Sequence, residues 1–262
     1  MTNITITHAS SGLVHAEVLR TARISPNFVR VTLGGDDLRR FDYRGFDQWF
    51  RLALPVDDGA ALERMPDRVD TRGYLKYLML PKATRPVIRN YTVREFRPES
   101  AELDIDFVVH GTEGVAGPWS LAVEPGERVA FIDQGCGWKP VAADSYLLVA
   151  DETGLPAVAG ILRDMPRDAV GHAVIEIPDA TDAQETSAPD GMTVHWVTRE
   201  HGRPGALALD TATSLELPGT PIVFVVGESA LATGLRRWAV GERGIPKANV
   251  TFCGYWKLGR AH

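Results

Sequence analysis

Between residues 89 and 94 the chain reads Arg-Asn-Tyr-Thr-Val-Arg. In a strand these side chains alternate, so Arg89, Tyr91 and Val93 share one face. A guanidinium and a phenol ring two residues apart are parts for holding a flat, anionic ligand. The guanidinium pairs bidentately with phosphate, and the ring lies against a planar heterocycle. The same residues also suit a surface salt bridge and a core aromatic. Further on, "HGTEGVAGPWS" (110–120) sets three glycines ahead of Pro118-Trp119-Ser120. A glycine-rich turn running into a helix N-terminus can hold a pyrophosphate on backbone N–H groups. A plain surface loop has the same composition.

Two turns in the second half carry a different chemistry. Ala150-Asp151-Glu152-Thr153-Gly154-Leu155-Pro156 stands where a dinucleotide-binding fold would show G-x-G-x-x-G. One glycine is present, and two acids sit where phosphate is expected. Asp151 or Thr153 either caps the following helix or contacts a cofactor, and the two roles are compatible. Pro156 suits the first turn of that helix. Val226-Gly227-Glu228-Ser229 repeats the strand-to-helix pattern. Gly227 permits close approach of a ligand, while Glu228 either reaches a ribose hydroxyl or caps the helix.

The elements that would position these residues fall into two groups. "HAEVLRTARIS", "FVRVTLGG", "QWFRLALPV", "RNYTVREF", "AELDIDFVVH" and "ERVAFID" are short alternating runs separated by turns, the pattern of an antiparallel barrel. The stretch from Asp57 to Thr71 reads as a loop or a short helix. From "SYLLVA" onward, continuous apolar runs alternate with helical segments at 155–162 and 229–244. That is the pattern of a parallel sheet covered on both faces. The expected fold is therefore β + α/β with two domains, 1–141 an antiparallel Greek-key β-barrel and 142–262 a parallel α/β domain.

The chain has 262 residues and a net charge of −6, which argues against a general nucleic-acid binder. Two distant cysteines, Cys136 and Cys253, are expected as reduced thiols, and no Cys/His cluster indicates a metal site. No signal peptide or membrane-inserting run is visible, so a cytoplasmic enzyme is expected.

Four segments together resemble the siderophore-interacting protein family, ferric-siderophore reductases of the ferredoxin–NADP reductase superfamily. They are "FVRVTLGGDDLRRF" with "DQWFRLALP", "RPVIRNYTVREF" with "LDIDFVVHGTEGVAGPWS", "YLLVADETGLPAVAGIL", and "GYWKLG". The motif R-x-Y-T is shared across the superfamily; "GPWS", "DETGLPA" and "GYWKLG" together are specific. The resemblance implies an FAD-binding barrel followed by a nicotinamide-nucleotide domain. It implies that Arg89 lies near the FAD diphosphate, with Tyr91 and Thr92 by the isoalloxazine. Asp106, His110 and the loop Gly117, Pro118, Trp119 and Ser120 would complete that site. The "ADETGLP" turn, with Gly227 and Glu228, would face NAD(P)H in place of the glycine fingerprint. Arg199 and Arg203 are the candidates for a 2′-phosphate.

The implied reaction passes a hydride from NADPH or NADH to FAD, then single electrons to siderophore-bound Fe(III). It needs no catalytic side chain or iron ligand from the protein. Lys76, Lys257 and Arg260 are the candidates for holding an anionic ferric chelate. Lys257 stands where the family often has arginine. The sequence ends at His262, soon after "GYWKLG", whereas many relatives continue, so a ferredoxin-type donor stays open beside the nicotinamides. The alternatives are a general flavin or ferric-chelate reductase and a siderophore-binding protein without turnover.

Overall fold

The computed structural model describes residues 2–6, 11–55, 62–68, 71–109 and 114–259. The chain divides into two compact units, Ile6–Cys136 and Gly137–His262, with Met1–Thr5 joined to the second. The division lies ahead of the 141/142 boundary expected from the change in pattern. Trp138 accounts for this, because its ring packs against Tyr146 and Phe224 of the α/β core at 5.8 and 6.0 Å.

The first unit contains β1 (Leu13–Ser25), β2 (Phe28–Gly34), β3 (Trp49–Leu54), α1 (Thr71–Leu78), β4 (Val87–Thr92), β5 (Glu95–Arg97), β6 (Glu102–Val108), α2 (Ala116–Ala122) and β7 (Arg128–Gly135). Seven antiparallel strands lie in the order β4-β3-β7-β1-β2-β6-β5. The two edge strands, β4 and β5, are consecutive in the chain, with only Val93 and Arg94 between them. The Val93 N–H donates to the Gln48 carbonyl beside β3 at 2.8 Å, and the Arg94 N–H donates to the Asp104 carbonyl of β6 at 2.9 Å. The sheet therefore curls until its edges meet, as a barrel does. "RNYTVREF", expected as one strand, is the corner where that closure happens.

Alternation sorts the side chains. Phe50, Leu52 and Leu54 of β3 and Leu103, Ile105 and Phe107 of β6 are fully buried in one core. The opposite face of β6 carries Asp104 and Asp106. Asp104 pairs with Arg97 at 2.8 Å and accepts the Thr32 hydroxyl at 2.7 Å.

The second unit contains β8 (Tyr146–Ala150), α3 (Leu155–Asp164), β9 (Gly171–Ile177), β10 (Met192–Thr198), α4 (Ala206–Ser214), β11 (Ile222–Glu228), α5 (Ser229–Arg237) and β12 (Val250–Trp256). The strands are all parallel, in the order β10-β9-β8-β11-β12. The order reverses between β8 and β11, which makes the carboxyl ends of those two strands the switch point. Leu155 to Leu162 of α3 are buried throughout, so the helix expected at 155–162 packs on more than one face. Asn3 closes the β12 edge: its side chain donates to the Val250 carbonyl at 2.7 Å and accepts the Phe252 N–H at 2.9 Å. Helices α1 and α4 are absent from the sequence reading. The small residues of "ALALDTATS" give α4 too weak a stripe to stand out.

Candidate functional site

Strand β4 places Arg89 opposite Leu52 and Tyr91 opposite Phe50. Both partners belong to the buried core, so Arg89 and Tyr91 share the inward face, as the alternation predicts. Asn90 points the other way and is exposed. The Tyr91 ring lies 4.3 Å from Phe107, and Phe107 lies 5.5 Å from Trp119 at the start of α2. Burial holds the Tyr91 hydroxyl well above its ordinary pKa, opposed by the nearby Arg89 charge. The phenol is therefore neutral.

Trp119 brings an open polar atom to this row of rings. Its indole Nε1 is buried and has no acceptor among the described residues. Buried donors nearly always have partners, so this one is free to meet an acceptor from outside the described residues. Ser120 is buried too, but its hydroxyl already donates to the Gly117 carbonyl at 2.8 Å. Pro118 lies in the first turn of α2 beside them. A half-buried cation, three rings and an unused N–H donor are a set that suits a planar heterocycle with an attached diphosphate.

The opposite face of the same strands holds a second group. Thr92 is buried and lies opposite Trp49 of β3, whose indole Nε1 is likewise buried without an acceptor. Arg51 follows on that face, and burial holds its guanidinium below its ordinary pKa. Among the described residues no carboxylate pairs with it. Sequence reading missed both Trp49 and Arg51; the signal was a tryptophan and an arginine alternating within an otherwise apolar strand.

Asp106 is not brought to the Tyr91 row. It lies on the far face of β6, where Arg30 grips both carboxylate oxygens at 2.7 and 2.9 Å and Arg94 approaches to 3.3 Å. That is a buried structural ion pair, and its oxygens are already taken. His110 lies outside the described residues.

The switch point of the α/β unit is built quite differently. Asp151, at the end of β8, is fully buried. One carboxylate oxygen accepts the Thr153 N–H at 2.9 Å and the Thr153 hydroxyl at 2.5 Å. The other accepts the Glu228 N–H at 2.6 Å and the Trp256 indole N–H at 2.9 Å. Burial pushes this carboxyl up to about 6, with the adjacent Glu152 charge adding to the rise and the donors opposing it. Gly227 permits the contact: its φ is +127°, and a Cβ there would stand 2.6 Å from the Asp151 carboxyl carbon. Close approach is thus real, but what approaches is the protein's own carboxylate.

Its neighbours are equally engaged. Arg199 donates to Glu152 at 2.8 and 3.1 Å and to Glu176 at 2.7 Å. Burial works against the Arg199 charge, and the two carboxylates outweigh it, so its pKa lies above the ordinary value. Glu176 also accepts the Gly205 and Ala208 N–H groups at the head of α4. Glu228 caps α5 through the Ala230 N–H and accepts the Leu258 N–H at 3.2 Å. Of the two roles open to Glu228, capping is the one observed. Pro156 is buried in the first turn of α3. The segments "DETGLP", "GES" and "GYWKL" thus form one hydrogen-bonded block. Arg199 is enclosed by it, while Arg203 stays exposed on the loop after β10.

The remaining candidates are scattered. Lys76 is exposed on α1, and Lys257 is exposed just after β12. Arg260 lies outside the described residues. Among the described residues no group of three or more His, Cys, Asp and Glu could hold a metal, and no helix is long and apolar enough to cross a membrane.

Comparison with known proteins agrees with this division. The siderophore-interacting FAD-binding domain matches residues 17–137, and the siderophore-interacting protein domain matches residues 143–259. The ferric vibriobactin reductase ViuB of Vibrio cholerae is 30% identical, over 93% of this chain and 89% of its own. The NADPH-dependent ferric-chelate reductase of Escherichia coli is 29% identical, over 91% of each. The crystal structure of a siderophore utilization protein from T. fusca is 32% identical, covers 98% of this chain and 97% of its own, and superposes with a TM-score of 0.79. Ferredoxin reductases share the fold alone, with TM-scores of 0.64 and 0.67. Two matched domains and a coextensive relative place the chain in the siderophore-interacting protein family.

Proposed function

We propose that the protein is an FAD-dependent ferric-siderophore reductase, drawing electrons from a nicotinamide nucleotide and releasing siderophore iron as Fe(II) in the cytoplasm. The observation that carries this reading is the row Arg89, Tyr91, Phe107 and Trp119, with its unused indole donor, inside the domain that matches an FAD-binding family. The names of the V. cholerae and E. coli relatives supply the substrate class and favour NADPH as donor.

FAD, when bound, supplies the ability to take two electrons from a nicotinamide and give them singly to Fe(III). The chain's own residues do the rest. Arg89 would neutralise the diphosphate, the Tyr91 ring would lie against the planar heterocycle, and the Trp119 N–H would offer it a donor. Thr92 and Trp49 would offer a hydroxyl and a second N–H on the opposite face of the strands. Gly117, Pro118 and Ser120 set the position of Trp119. Arg51, Lys257 and Arg260 hold the anionic chelate by charge.

A ferredoxin-type protein is the second reading of the electron donor. The specific observation favouring it is the Asp151 carboxylate, which already takes the Glu228 N–H at the place where a dinucleotide pyrophosphate would sit. Anaerobic stopped-flow reduction separates these readings. The flavin of the purified protein should bleach with NADPH and recover on adding a ferric siderophore. A flavin bleached by reduced ferredoxin and not by either nicotinamide would exchange the donor. A colourless protein that cannot be reconstituted with FAD would sink the reductase reading.

A further inference from the structure

Helix α1 has two apolar sides. At 100° per residue, Gly73 and Tyr77 fall on one side, Tyr74, Leu75, Leu78 and the following Met79 on the other, and Arg72 and Lys76 between them. The first side holds the helix to the barrel. Tyr77 packs against the cluster of Leu13, Ala53, Leu62, Met65, Leu80 and Ile132 and donates to the Pro86 carbonyl at 3.0 Å. Gly73 is buried, and a Cβ there would stand 1.8 Å from the Arg68 carbonyl oxygen, so the helix rests directly on the preceding segment. Arg85 fixes the far end: it donates to the Leu80 carbonyl at 2.7 Å and lies 5.5 Å over the Tyr77 ring.

On the second side Tyr74 stacks on Tyr77 at 6.3 Å, and the side stays largely exposed. Tyr74 is 52% exposed, Leu75 56%, Leu78 41% and Met79 76%. Four large apolar side chains within six residues form a patch, not the scatter normal at a surface. The charge around the patch runs against that of the whole chain. Residues 62–85 hold six basic and three acidic residues in a protein of net charge −6. Arg68, Arg72, Lys76 and Lys82 are all exposed.

We infer that α1 is a docking element for an anionic lipid surface. An outward apolar arc bordered by cations is the pattern of a helix lying in the membrane interface, with the apolar residues among the acyl chains and the cations on the headgroups. Tyr74 is a residue type that favours that boundary. At about 12 Å for its eight residues, α1 is long enough to lie in one leaflet and too short to span it. Lys76, read from sequence as a chelate ligand, is on this surface a headgroup ligand. Docking through α1 is independent of what the flavin site reduces.

Flotation of the full-length protein with vesicles tests this. Partition onto phosphatidylglycerol–phosphatidylcholine vesicles should exceed that onto phosphatidylcholine by about tenfold and fall with added salt. The double variant L75E/M79E should lose about tenfold of that partition and keep the wild-type Tm and FAD content. No flotation of the wild type, equal flotation of the variant, or equal binding to neutral vesicles overturns the inference. So does light scattering that shows a wild-type dimer dissociated by L75E/M79E, which would make the patch a self-interface.

Discussion

The inward face of β4 and the switch point between β8 and β11 are both places where a folded chain would receive a nucleotide cofactor, and they are finished in opposite ways. At the switch point, both oxygens of Asp151 and both oxygens of Glu228 are taken by donors of the chain itself. By the inward face of β4, the Trp119 N–H has no acceptor among the described residues, and Arg89 is half-buried. A carboxylate satisfied by the chain's own donors contributes to the fold whether or not a ligand is present. An unused buried donor costs free energy until a ligand meets it. Substitutions at the first place should therefore act on stability, and substitutions at the second on cofactor retention.

The largest effect is expected at Arg199. Arg199→Met leaves Glu152 and Glu176 buried without their cation, which should cost roughly 3 to 5 kcal/mol. Denaturant unfolding of the α/β unit measures it, and flavin content at low denaturant should stay unchanged. A loss below about 1 kcal/mol would mean the block is held by packing instead of charge.

Gly227→Ala comes next. It forces a Cβ into the Asp151 carboxylate at a φ that side chains rarely adopt, and about 2 to 3 kcal/mol should be lost. Unchanged stability would mean that the crevice opens easily, and with it the case for a closed pyrophosphate position would go.

This difference between the regions was only partly legible in the sequence. Period-two alternation put Arg89 and Tyr91 on one face, and it identified "AELDIDFVVH" as a strand. It could not show that "RNYTVREF" breaks at Val93 and Arg94, because the break comes from two sheet edges meeting. Nor could it show that Asp106 belongs to Arg30, 76 residues away, or Asp151 to Trp256, 105 residues away. A carboxylate near a helix start reads as a cap from local sequence, and for Glu228 that reading holds. Whether a carboxylate also fills a ligand position depends on strands that only the fold brings together. Helix α1 was missed for a related reason: its larger apolar arc points outward and the inward side offers only Gly73 and Tyr77, so no core-facing stripe stands out.

At the barrel face the effects move to the ligand. Arg89→Ala should weaken FAD binding by about ten- to a hundredfold, the loss of a charge-assisted phosphate contact. The unfolding free energy of the flavin-free protein should stay within about 0.5 kcal/mol of wild type. Equilibrium dialysis or fluorescence titration of the flavin-free chain measures the first. Full FAD occupancy in the variant would remove Arg89 from the site.

Trp119→Phe is the smallest and most diagnostic change. It keeps a ring next to Phe107 and deletes the indole N–H, the donor without an acceptor, together with part of the ring. In the flavin-free protein the lost packing and the removal of an unpartnered polar group oppose each other, so stability should stay within about 1 kcal/mol of wild type. With FAD present, one hydrogen bond is missing, and affinity should fall about fivefold, near 1 kcal/mol. Stability must hold while affinity falls for the donor to belong to the cofactor. A parallel loss of stability and affinity would assign Trp119 to packing alone, and the barrel face would then be as self-contained as the switch point.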